Sequence, residues 1–200
     1  MSTSNPRIER RDFVARLLAA TPDALVDTGL GSASYDVFAA GDRDLNYYLW
    51  GAMGGACPLG LGLALAQPQR SVVVITGDGE LLMGIGSLAT IAVKQPKNLS
   101  IVVLDNGHFG ETGMQRSHSS LGTDLAAVAR GFGLTEAFVT DSGTDSQQAS
   151  VDIARRINAR AGTTFAQVLI TADEPPRALP PRDGPFIKNR FRGALGLKPF

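Results

Sequence analysis

The run Ser71-Val72-Val73-Val74-Ile75 passes directly into Thr76-Gly77-Asp78-Gly79-Glu80, and the residues after it are spaced as a helix, with Leu81, Ile85, Leu88 and Ala92 on one face. An Asp-Gly pair between apolar runs commonly marks a hairpin turn. A hairpin needs a second alternating strand at once, and Leu81 to Val93 does not alternate. The segment therefore reads as strand, glycine turn and helix N-terminus, the repeating unit of a parallel sheet covered by helices.

The rest of the chain repeats this unit. Apolar runs rich in Val, Ile or aromatics occur at residues 24–26, 47–50, 71–75, 100–104, 137–140 and 165–171, which predicts six strands. Ile8, Phe13, Val14, Leu17 and Leu18 recur at helical spacing before Pro22, and Leu125, Val128 and Phe132, then Val151, Ala154 and Ile157, do so later. The expected fold is α/β: a three-layer, doubly wound sheet of about six mainly parallel strands with helices on both faces. Leu59 to Leu65 alternates with period two, but its length and small residues favour a helix packed closely on the sheet. Residues 1–172 read as one α/β domain and 173–200 as a C-terminal arm, because prolines cluster from Pro175 to Pro185 ahead of Lys188, Arg190 and Arg192. The arm is expected to lie extended on the domain or on a partner, or to be solvated.

Charge and composition narrow the possible functions. Nineteen basic residues balance nineteen acidic ones and no basic stretch is long enough to track a phosphate backbone, which argues against nucleic acid. Leu45 to Gln69 is uncharged and long enough to span a bilayer, yet five glycines and Pro58 within it argue for a soluble core, with no membrane involvement. The single Cys57 excludes an internal disulfide and reads most simply as a small buried hydrophobe. The arginine-bearing start lacks the apolar middle of a secretory signal, so a reducing, cytoplasmic setting is expected.

A strand–glycine–helix turn makes an anion cradle, since glycines let the backbone approach and unpaired amides face a phosphate. Asp78 within it makes sense if a hard divalent cation such as Mg2+ lies between carboxylate and phosphate. The next strand ends in Leu104-Asp105-Asn106-Gly107-His108. In a parallel sheet neighbouring strand ends lie together at the carboxyl edge, so Asn106 can meet Asp78 at one ion.

Gly77-Asp78-Gly79, a spacer and Asp105-Asn106 resemble the thiamine diphosphate motif, and Trp50-Gly51-Ala52-Met53-Gly54 is similar to the segment beneath that cofactor. The resemblance covers the chain to about Thr171 and looks like the pyrophosphate-binding half of a thiamine diphosphate enzyme. It implies that Asp78, the Asn106 side chain and the His108 carbonyl bind Mg2+. Gly77, Gly79, Glu80, Phe109 and Gly110 would complete the diphosphate cradle, and Gly31 and Ser32 would sit where the family often touches diphosphate. The Gly51 carbonyl and Ala52 would meet the aminopyrimidine, and Met53 would be the apolar wedge that bends the cofactor. Glu80 departs from the pattern, in which a small serine is common, and Glu111 and His118 fall where relatives vary.

Taken without the family, Met53 reads as core, His108 as a carbonyl donor or a free imidazole, and His118 as an exposed loop residue or an acid. Glu111, five residues past the metal loop, reads as an acid–base group or a solvated glutamate. The resemblance implies the β subunit of a heteromeric decarboxylase acting on a small 2-oxo acid, similar to the sulfopyruvate and phosphonopyruvate enzymes. A separate subunit would carry the pyrimidine-binding domain and the activating glutamate. The alternatives are a 2-oxo acid oxidoreductase β subunit, whose kind usually carries iron–sulfur cysteines, and a non-catalytic cofactor-binding subunit.

Overall fold

Val73 and Ile75 project from one side of their strand, Val72 and Val74 from the other, and all four are buried. Such a strand must be covered on both faces. The computed structural model describes residues 7–140 and 143–198. The leader reading rests in part on residues 1–6, and the arm ends at 199–200; these positions lie outside the described residues.

In chain order the elements are α1 (Arg10–Ala20), β1 (Leu25–Thr28), α2 (Ser32–Ala39), β2 (Asn46–Tyr48), α3 (Ala56–Ala66), β3 (Val72–Gly77), α4 (Asp78–Met83), α5 (Ser87–Lys94), β4 (Leu99–Asp105), β5 (His108–Phe109), β6 (Gln115–Arg116), α6 (Leu125–Phe132), β7 (Glu136–Val139), α7 (Ser146–Ala159), β8 (Thr164–Leu169) and α8 (Gly184–Ala194). Six strands form one parallel sheet in the order β2-β1-β3-β4-β8-β7. Helices α1, α2 and α7 cover one face through Phe13, Val14, Leu17, Val37, Ile153 and Ile157; α3, α5 and α6 cover the other through Leu61, Leu88, Ile91 and Leu125. The chain leaves β1 toward β2 and returns on the other side of β1 to β3, so the order reverses between β1 and β3. A crevice opens at the carboxyl ends of strands at such a reversal.

The alternating segment is helical, as α3. A Cβ at Gly60 would lie 2.2 Å from Cγ2 of Val74, so glycine lets this helix sit directly on β3. Among the described residues no helix is long and apolar enough to cross a membrane.

Four expectations change. Leu81 to Val93 is two helices, α4 and α5, parted at Gly84-Ile85-Gly86, where weak helix formers coincide with a backbone contact between Gly84 and Gly54. On α6 the inward residues are Leu125, Ala126 and Ala129, because small side chains allow close approach, while Phe132 is exposed. On α7, Val151 is exposed and the buried face runs through Ala149, Ile153, Ala154 and Ile157. Residues 184–194 of the arm form α8 rather than an extended or solvated segment: the Asp183 side chain accepts a bond from Phe186 N at 3.1 Å, Pro185 occupies the first turn, and Phe191 packs on Tyr47. Before α8 the chain has no regular secondary structure and is held by Trp50 Nε1, which donates to the Pro181 carbonyl at 2.7 Å. Helix α2 and the β5–β6 hairpin were not anticipated from the pattern.

Asp27, in the middle of β1, is fully buried, and among the described residues neither carboxylate oxygen has a hydrogen-bond partner. Burial, with the Glu80 charge adding, pushes its carboxyl well above the usual carboxylate range. The folded protein then keeps a proton that the unfolded chain releases, so the penalty is absent below the unfolded pKa of about 4 and grows as pH rises above it. Asp27→Asn should raise stability at pH 7 by about 1 kcal/mol or more and by little at pH 3, measured by urea unfolding. Equal stability of the two proteins at pH 7 would contradict this account.

Candidate functional site

A cavity of about 160 Å³ lies at the carboxyl edge where the strand order reverses. Ser32 after β1, Gly77 to Glu80 at the end of β3, Asn106 and His108 to Thr112 after β4 and Ile170 after β8 line it, with Met53 and the first helix's Arg10. Of the candidate residues, Ser32, Met53, Gly77, Asp78, Gly79, Glu80, Asn106, His108, Phe109, Gly110 and Glu111 share this lining. Gly31, Gly51, Ala52 and His118 are not part of it.

Asp78 opens α4 and is buried. Its Oδ2 accepts from Ser119 Oγ at 2.9 Å and from Ser117 Oγ. Among the described residues no basic side chain pairs with it. Burial raises its carboxyl above the usual range and the nearby Asp105 charge adds to this, against hydrogen bonds from Ser117 and Ser119 that lower it. Asp105 accepts from the Gly107 amide at 2.9 Å and from Gln167 Nε2 at 2.7 Å, and its Oδ1 lies 2.7 Å from Ser119 Oγ, whose one proton serves either this carboxylate or that of Asp78. Two buried carboxylates thus share one serine, and among the described residues no basic side chain pairs with either. A small cation held by oxygen donors would relieve that imbalance.

Asn106 follows β4, and its Oδ1 accepts from the His108 amide at 2.9 Å, which fixes the side chain and leaves a further lone pair on that oxygen. His108 Nδ1 lies 2.9 Å from the Asn106 carbonyl; a carbonyl only accepts, so Nδ1 carries a proton and Nε2 is the nitrogen left for other partners. Among the described residues no three His, Cys, Asp or Glu side chains cluster as a metal site. The donors available are one carboxylate, one amide oxygen and backbone carbonyls, a set that suits a hard cation and not zinc.

The walls are specific. The Phe109 ring lies over the glycine turn, so that a Cβ on Gly79 would come within 2.4 Å of it. His118 meets the outer edge of that ring, centroids 6.3 Å apart, and is itself exposed. Glu111 stands at the mouth, paired with Arg177 of the C-terminal segment at 3.2 Å and accepting from Tyr35 Oη at 3.4 Å. Met53 is about two-fifths exposed, with Gly51 and Ala52 exposed beside it. Glu80 lines the cavity, and its Oε1 accepts from the amides of Gly54 at 2.8 Å and Ala56 at 3.4 Å.

Sequence reasoning missed Arg10 and Asp36, a buried pair with Nε–Oδ2 at 2.8 Å that lines the same cavity, because the arginine reads as part of a solvated helix face. It also missed the roles of Ser117 and Ser119. Their adjacency to His118 was visible, but the return of that irregular loop onto Asp78 leaves no periodic signal.

The family description of the thiamine pyrophosphate enzyme C-terminal, TPP-binding domain matches residues 29–168. The chain is 31% identical over 198 residues to a sulfopyruvate decarboxylase of Methanosarcina acetivorans, covering 99% of this chain and 50% of that protein. It is 41% identical over 127 residues to a sulfopyruvate decarboxylase subunit beta of Methanocaldococcus jannaschii, covering 63% of this chain and 67% of the relative. A phosphonopyruvate decarboxylase of Streptomyces viridochromogenes is 47% identical over 131 residues, covering 65% of this chain and 32% of the relative. The chain therefore spans between a third and two thirds of these curated relatives. Among solved structures, a thiamine diphosphate-dependent 4-hydroxybenzoylformate decarboxylase of Rhodococcus jostii superposes with a TM-score of 0.66 at 22% identity, over 88% of this chain and 34% of that one, a likeness of fold.

The loop that carries Met53 is pressed against the break between α4 and α5. A Cβ on Gly84 would lie 2.1 Å from the Gly54 carbonyl oxygen, whereas a Cβ on Gly62, inside α3, meets nothing. Gly84→Ala should destabilise by about 1–3 kcal/mol, and Gly62→Ala should be neutral or stabilise by up to about 1 kcal/mol, in urea unfolding. Equal effects would show that the Gly54–Gly84 contact is slack.

Proposed function

The chain belongs to the thiamine pyrophosphate enzyme family through its C-terminal, TPP-binding domain, and from that premise we propose that it is the β subunit of a heteromeric decarboxylase of a small 2-oxo acid. The observation that carries this reading is Asp78, a buried carboxylate without a basic partner at the carboxyl edge, beside Asn106 from the next strand end. A diphosphate bridged through Mg2+ would satisfy both the glycine turn's amides and the carboxylate.

In this reading Asp78, the Asn106 side chain and the His108 carbonyl would hold Mg2+. Gly77, Gly79, Phe109, Gly110 and Ser32 would enclose the diphosphate, with Gly31 setting the turn ahead of Ser32. Gly51, Ala52 and Met53 support the far ring. When bound, thiamine diphosphate supplies the electron sink for loss of CO2 from a 2-oxo acid. The chain's own residues bind and orient it, and the apolar wall formed by Leu30, Leu104, Phe109 and Ile170 excludes water. Of the two acid–base candidates Glu111 is favoured, because it lines the cavity while His118 stands outside. Arg177 and Tyr35 hold the Glu111 carboxylate at the mouth, where it could exchange a proton with substrate.

Relatives named as subunit beta support a partner subunit, to which the pyrimidine-side glutamate is assigned in this reading, and relatives named for sulfopyruvate and phosphonopyruvate support a 2-oxo acid with an anionic tail. A sequence with one cysteine, buried and free, offers no cluster ligands of its own, which favours a decarboxylase over an oxidoreductase subunit and fits a cytoplasmic setting.

Calorimetry with thiamine diphosphate and Mg2+ tests the site. Asp78→Ala should weaken binding at least about tenfold, roughly 1.4 kcal/mol, and Asn106→Ala by less, since a neutral ligand is lost. Unchanged affinity in Asp78→Ala would refute the assignment. The chain alone should release no CO2 from sulfopyruvate or phosphonopyruvate and should become active with a sulfopyruvate decarboxylase α subunit; turnover by the isolated chain at about 1 per second or faster would refute the split site.

A further inference from the structure

Helix α3 begins without a capping side chain, because its N-cap is Gly55. Its first amides still need acceptors. Glu80 supplies one from another element: its Oε1 accepts from Gly54 N at 2.8 Å and from Ala56 N at 3.4 Å. A carboxylate at a helix N-terminus is favoured by both the free amides and the helix dipole. The residue lies two positions past Asp78, so a single side chain ties the turn after β3 to the loop that carries Met53.

A second contact points the same way. A Cβ on Gly29, just past β1, would lie 2.3 Å from Glu80 Oε2 and 2.7 Å from its Cδ. The space where any other residue would put its side chain is filled by this carboxyl group. Glu80 is thus wedged between the end of β1 and the start of α3, and it is 5% exposed. Fold stability alone does not explain an acid here. The fully buried, unpartnered Asp27 is close by, and a small neutral residue would avoid placing two acids together.

We infer that Glu80 is a positioning residue that fixes residues 51–55, and through them Met53, by holding the Gly54 and Ala56 amides rather than by touching the cofactor. The effect on catalysis rests on the reading of Met53 given above; the hold on the loop does not.

Amide hydrogen exchange on the metal-free protein reads the hold directly. Glu80→Ala should speed exchange at Gly54 and Ala56 about fivefold or more, the size of a lost cap, with β3 and β4 unchanged. Glu80→Gln keeps an acceptor and should stay close to the parent. Gly29→Ala should reproduce the Glu80→Ala pattern by displacing the carboxyl, and should add little to it in the double variant. It also provides the test should Glu80→Ala fail to fold. In the assembled enzyme Glu80→Ala should lower kcat by a larger factor than it raises the thiamine diphosphate concentration for half-saturation, with Glu80→Gln restoring most of the loss. Unchanged exchange in Glu80→Ala, or a Gln variant as impaired as the Ala variant, would overturn the inference, as would faster exchange with unaltered kcat. A parent protein that fails to bind thiamine diphosphate would instead refute the proposed function.

Discussion

The parallel pairing of β3 with β4 runs in register from Val72 opposite Leu99 to Gly77 opposite Leu104. The residues that follow the two strands therefore emerge side by side, Asp78 next to Asp105 and Asn106. β1 pairs with β3 on the other side and delivers Ser32 to the same edge through the Gly31 turn, where φ is +78°. No loop flexibility is needed to gather these groups. Backbone hydrogen bonds between buried strands set their spacing, and burial of Val72 to Ile75 and Ile101 to Leu104 on both faces holds those strands rigid.

The electrostatic consequence is an acidic inner wall. Asp78 lines the cavity and Asp105 stands beside it at the next strand end; among the described residues no lysine lines the cavity, and its arginine, Arg10, is already committed to Asp36. Removing carboxylates from water without counter-charge is unfavourable. Where a cation with further oxygen ligands completes the site, the same arrangement gives selectivity for a metal–anion pair over either alone. Glu80, in the same lining, and Asp27, buried behind it, extend this acidic region to the start of α3. Cys57, buried there too, has its thiol pushed well up by burial and then by those two charges, so it stays a neutral apolar residue.

What was legible in the sequence follows from the range of the interactions. The six strands and the glycine turn were readable because local propensity and the pattern of apolar residues agreed at each. α3 was readable against its own alternation because its length and small residues told more than its period. The break at Gly84 was not, since it depends on Gly54, thirty residues earlier, pressing against it. The hairpin of β5 and β6, which returns Ser117 and Ser119 to Asp78, has strands of two residues, too short for any period to register. α8 carries its start signal in Asp183 and Pro185, but the surrounding prolines mask it. Within the site, the motif residues were legible because their spacing is tied to strand ends, while Arg10 and Asp36 reach the cavity, and the two serines reach Asp78, through tertiary packing alone.

The central claim is that two successive strand ends form one cation-assisted diphosphate site. Anomalous diffraction from crystals grown with thiamine diphosphate and Mn2+ in place of Mg2+ tests it most directly, because Mn2+ takes the same oxygen ligands and its position can be read without reference to the protein. The account predicts one strong peak at coordination distance from both an Asp78 carboxylate oxygen and Asn106 Oδ1. A peak elsewhere, such as between Asp27 and Glu80, or none at that edge with the cofactor bound, would contradict it.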